Sequence, residues 1–153
     1  MRNYLFGILA LIVMVGMKQQ DKTQSIKYRT YETQNGREKK ILYRLDVPKG
    51  GKLLTITGSH ERELEVSYAD SSFIYITNDA NGGSHLNYKN ISAIGKDVYT
   101  NKLLKDTLLL QGSQSNGRLW KESKMNHIVV GYVNVLPDKK VEYDKALASL
   151  KKN

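Results

Sequence analysis

Residues 112–119 (GSQSNGRL) place two glycines at the spacing of a phosphate-binding P-loop. The chemistry would be a cradle of backbone N–H groups around phosphates, completed by a lysine and a magnesium-binding hydroxyl. Arg118 and Leu119 stand where those two residues belong, so the segment is read as a hairpin turn on Ser115, Asn116 and Gly117. Asp79, Asn81 and Gly83 alternate faintly like a calcium loop, but the twelfth position from Asp79 is Asn90, where a bidentate glutamate is required. His60, His85 and His127 have no histidine or cysteine at ligand spacing. The chain has no cysteine, which excludes a disulfide scaffold, a zinc ribbon, a thiol nucleophile and an iron–sulfur site. Neither a metal nor a cofactor is expected.

Two further sets could do chemistry. Glu63, Glu65 and Asp70 could supply the paired carboxylates of glycoside hydrolysis, one of them with a raised pKa. The alternation of Glu63 and Glu65 reads equally as a solvated strand face. No serine lies in a G-x-S-x-G elbow, although a Ser–His–Asp relay need not be local in sequence. Trp120, the single tryptophan, is framed by Arg118, Lys121 and Lys124. An aromatic among cations can stack on a base, a sugar or a lipid headgroup. Strand alternation puts Arg118 and Trp120 on one face and leaves open whether that face is core or surface. These four are the candidate binding residues.

The elements that would position such groups begin with an unusual N-terminus. Arg2 precedes an unbroken apolar run from Leu5 to Val15, and Gly16 and Met17 lead into the polar stretch KQQDK. A basic start, a short apolar run and a polar exit have the form of an export signal. The run is short for a membrane span, which takes about 20 residues. Val13, Met14, Val15 and Gly16 followed by Lys18 resemble a bacterial lipoprotein signal, which implies an exported envelope protein in the periplasm or at the outer membrane. In that family position 17 is the lipidated cysteine; here it is Met17, which cannot carry the thioether lipid. Three readings remain open: a substituted cysteine, a translation start at Met17, or an uncleaved anchor. The first two fit together, with Met17 replacing the cysteine and opening a soluble chain.

The expected organisation is a signal or anchor over 1–17, a tether over 18–25 and one globular domain over 26–153. The full length of 153 residues suits a single core, and 40% hydrophobic content argues against disorder. The net charge is +9, and Arg2 is the only charged residue before Lys18, so the body is strongly basic. Such a charge favours anionic partners without choosing among them.

The body reads as α+β: about seven to nine short antiparallel strands, sandwich- or barrel-like, with one C-terminal helix. Asn35-Gly36 predicts a hairpin between a Tyr- and Thr-rich strand and the alternating run Ile41, Tyr43, Leu45. Pro48, Lys49, Gly50 and Gly51 break the chain. The run IVVGYVNV at 128–135 predicts a central strand buried on both faces. Tyr143, Ala146, Leu147 and Leu150 recur as a helical stripe, with Asp138 as its cap and Lys151 and Lys152 at its negative end. Residues 86–104 fit neither class.

Two functions follow. The first is a non-enzymatic envelope binding or scaffold module, of which an immunity or inhibitor protein is one form. It would be held to the membrane by its N-terminal segment and would engage a protein partner or an anionic envelope polymer. The alternative is a small envelope hydrolase acting on glycan or lipid. Nucleic acid is not an expected partner, because the lysines are dispersed and no nucleic-acid-binding motif is present.

Overall fold

The computed structural model describes residues 22–57, 62–78 and 106–153. Its first unit is a ribbon of β1 (Thr23–Gln34) and β2 (Arg37–Pro48), paired along their whole length. Asn35 and Gly36 turn it at φ 53° and 72°. Both values lie in the left-handed region that a tight two-residue hairpin requires, which asparagine and glycine adopt at least cost. Alternation then sorts the ribbon: Ile26, Tyr28, Ile41, Tyr43, Leu45 and Val47 are buried, while Lys27, Arg29 and Arg44 point outward.

After the break at Lys49–Gly50 the chain leaves this ribbon for a second sheet. That sheet holds β3 (Lys52–Thr57), β4 (Arg62–Ser67), β5 (Phe73–Thr77), β6 (Thr107–Ser113), β7 (Leu119–Met125) and β8 (Ile128–Val135). Its order is β3-β4-β5-β8-β7-β6, with every neighbour antiparallel. As predicted, β8 lies inside the sheet, and only Asn134 in it is not fully buried. Leu119 pairs with Val135 and Lys121 with Tyr132, so β8 carries one extra residue. Asn134 absorbs it at φ 63°. This bulge turns Val135 back toward the core that Ile128, Val130 and Tyr132 face.

Helix α1 (Lys140–Ala148) follows a 3-10 turn at Pro137–Lys139. The principal core joins the inner faces of both sheets to Tyr143, Ala146 and Leu147 of α1. A smaller cluster of Tyr75, Trp120, Val129 and Val133 lies on the opposite face of the six-stranded sheet. The fold is therefore α+β, mainly antiparallel, with nine strands and a C-terminal helix among the described residues.

Three local expectations change. β1 begins at Thr23, three residues before Ile26, because Thr23, Gln24 and Ser25 pair with Pro48, Val47 and Asp46. Asp138 does not cap α1: it lies inside the 3-10 turn, and no side chain caps the helix start. Lys151 and Lys152 form a short strand, β9, on β2 rather than ending the helix; Leu150 packs against the core and returns the chain to the ribbon. The signal segment 1–17 and the ambiguous residues 86–104 lie outside the described residues. Among the described residues no helix is long and apolar enough to cross a membrane.

Candidate functional site

The tryptophan set is divided between faces. Trp120 is 2% exposed and packs in the smaller cluster. Lys124 lies on the same side of β7 and is buried as well. Lys121 points the other way, and its Nζ donates to Asp144 of α1 at 2.8 Å. Arg118 spends its guanidinium on two backbone carbonyls, Asp70 at 2.9 Å and Asn134 at 2.7 Å, tying the β4–β5 turn to the bulge. The four share no common surface. The P-loop-like glycines have structural work instead. A Cβ on Gly112 would lie 2.8 Å from the Trp120 ring, and Gly117 takes φ 77° in the β6–β7 hairpin.

The carboxylates named from the sequence are not gathered in a cleft. Glu63 and Glu65 lie on the side of β4 away from Leu64 and Val66, and Glu65 accepts from Ser67. Asp70 sits in the β4–β5 turn, where Ser72 and the Lys139 ammonium, 2.7 Å away, donate to it. Desolvation works to raise its pKa, but these donors and the Lys139 charge outweigh it and hold the carboxyl at about 2. Glu32 and Asp144 are displaced in the same direction: burial opposes the shift, and hydrogen bonds and charges from lysines, joined at Glu32 by His127 and Tyr43, overcome it. Among the described residues, each carboxylate with a displaced pKa is pushed down. A general acid needs the opposite.

Two cavities open at the ends of the β1–β2 ribbon. One, of about 580 Å³, is lined by Thr23, Asp46 and Pro48 from the ribbon and by Asp138, Glu142 and Lys145 near α1. The other, of about 410 Å³, is lined by Tyr31, Glu32, Asn78 and His127. In it His127 Nε2 lies 3.1 Å from Glu32 Oε1, and Lys152 Nζ lies 3.1 Å from both Glu32 oxygens. A histidine beside a carboxylate is part of a hydrolytic relay, but the relay also needs a hydroxyl on the imidazole. No described contact of His127 supplies one. His60, His85 and Asp79 lie outside the described residues. Among the described residues no group of three or more acidic or histidine side chains could hold a metal ion.

The outer face of the three-stranded sheet has a different character. Register puts Lys27 opposite Arg44, and Arg44 opposite Lys151, in one row across β1, β2 and β9. Next along the ribbon come Arg29 opposite Leu42 and Tyr31 opposite Lys40. All five cations are exposed, and Tyr31 is 59% exposed. Arg44 has one carboxylate partner, Asp46 at 3.3 Å; among the described residues no carboxylate pairs with Lys27, Arg29, Lys40 or Lys151. Directly opposed side chains have Cβ atoms about 5 Å apart, and like charges so placed destabilise a sheet. Asp46 offsets part of this repulsion through Arg44, and an anion across the row would relieve the rest.

Alternation of Lys27 with Arg29 and of Lys40 with Arg44 is visible in the chain. Their union with Lys151 is not, since more than a hundred positions separate it from Arg44. Comparison of the chain with family models, curated proteins and solved structures finds no match.

Proposed function

We propose that this protein is a non-enzymatic binding module of a bacterial cell envelope, which engages an anionic partner through the outer face of β1, β2 and β9. The observation that carries the reading is the cationic row Lys27–Arg44–Lys151, in which Arg44 alone has a carboxylate partner, Asp46. The export-type N-terminus supports the location. The downward-displaced carboxylates, each tied to a lysine, favour binding over hydrolysis.

The register supplies a test that separates binding from folding. Lys27→Glu with Lys151→Glu turns the row into acid–Arg44–acid. Opposite charges across a sheet contribute about 0.2–1 kcal/mol per pair, so the variant keeps or raises the parent's stability. Binding to a soluble polyanion such as polyphosphate, measured calorimetrically at low salt, should weaken at least 30-fold. A double variant that melts normally and binds polyphosphate like the parent would sink the proposal.

A further inference from the structure

We infer that the anionic partner is a membrane surface carrying anionic lipid, on which the outer face of the three-stranded sheet lies flat. This rests on the proposed anion-binding reading and names its partner.

The cations spread in two dimensions. Lys27, Arg44 and Lys151 run across the strands, while Arg29 and Lys40 extend the patch along them. Strands lie about 4.8 Å apart, and alternate residues on one strand about 6.8 Å apart. A plane of headgroups meets every one of these charges at once, whereas a single linear polymer follows one row. None of the five cations lines either cavity.

Tyr31 stands on the same face, exposed and opposite Lys40. An amphipathic ring beside lysine is suited to the headgroup level of a bilayer. Chain length adds a geometric argument. Residues 16–22 alone separate the apolar N-terminal run from Thr23, where β1 begins. Eight Cα steps reach about 28 Å at most. A bilayer that held the apolar run would keep the start of β1 close to its headgroups, at high effective concentration. Each Lys or Arg near an anionic surface then adds attraction that salt screens.

The test uses the full chain, with Tyr31→Trp as a reporter on the face. Trp120, buried in the body, stays as a constant background. Vesicles of brominated phosphatidylcholine are compared with vesicles that also contain phosphatidylglycerol. The N-terminal segment can hold every variant to both vesicles, so co-sedimentation is not the readout; quenching of the residue-31 signal is. The expected result is quenching that appears with the anionic lipid and is lost at about 0.5 M salt, where the Debye length is only about 4 Å. Lys27→Glu with Lys151→Glu in the same background should need at least tenfold more anionic lipid for equal quenching. Equal quenching on neutral vesicles, or release by millimolar inorganic phosphate at constant ionic strength, would overturn the membrane assignment; the latter would mark a discrete phosphate site. If polyphosphate binds through the row but residue 31 is never quenched, the membrane inference fails and the anion-binding reading stands. Loss of both brings down both.

Discussion

Gly131 is a position where an added methyl group would meet backbone as well as a side chain. It lies on β8 between Tyr75 of β5 and Glu122 of β7. The Tyr75 ring crosses over it, and its hydroxyl donates to Glu122 Oε2 at 2.5 Å, so one side chain spans three strands. A Cβ at residue 131 would fall 2.6 Å from Tyr75 Cζ and Oη and 2.7 Å from the Lys121 carbonyl oxygen. Carbon atoms in contact normally stand about 3.5–4.0 Å apart. Gly131→Ala must therefore displace the ring, the strand or both. Overpacking costs about 1–3 kcal/mol, and losing a buried hydrogen bond to a charged group about 1.5–3 kcal/mol. The sum, about 2.5–6 kcal/mol, is a large share of a domain stability of about 5–15 kcal/mol. At about 3–4 °C per kcal/mol for a chain of this size, Tm should fall by about 8–24 °C. The assay is urea and thermal unfolding followed by circular dichroism and Trp120 emission. In a Tyr75→Leu background, which lacks the distal ring, the same alanine should cost about half as much, a coupling that a double-mutant cycle reads directly. A fall in Tm below about 3 °C, or a cost independent of residue 75, would refute the argument.

Val130→Asp places a carboxylate at a side chain 1% exposed in the main core, and should abolish the cooperative melt because burying an unpaired charge rivals the whole stability. A variant melting within 5 °C of the parent would contradict the central placement of β8. Acid should destabilise the protein with a defined sign. Asp70, Glu32 and Asp144 are lowered on folding, so their contribution is present above about pH 4 and is lost as pH falls toward the folded-state value of about 2 for Asp70. For Asp70 this is about 1 kcal/mol once the exposure of the Lys139 ammonium is allowed for, and Lys139→Met should remove about half of it in urea midpoints compared at pH 7 and pH 2.5. Met17→Cys in the full chain, expressed in a bacterium with labelled fatty acid, should take up label and fractionate with membranes; an unlabelled cytosolic product would dismiss the export reading.

What the chain determines by itself is local. Asn35-Gly36 and Gly117 need no tertiary partner, because the left-handed backbone they adopt follows from residue type alone. The two-sided burial of β8 was legible because apolar residues occupy both parities of one run, and a strand has only two faces. The helical stripe of Tyr143, Ala146 and Leu147 was legible for the same kind of reason. Tertiary structure decided the rest. Alternation told that Trp120 and Lys121 face opposite ways, but only the packed sheet assigned the buried face to Trp120 and gave Lys121 its partner Asp144. The lysines after α1 look like dipole partners to a local reading; Leu150, anchored in the core, carries them instead onto β2. That pairing completes the row of Lys27, Arg44 and Lys151, a juxtaposition of charges set by strand register across three distant segments, which no spacing along the chain encodes.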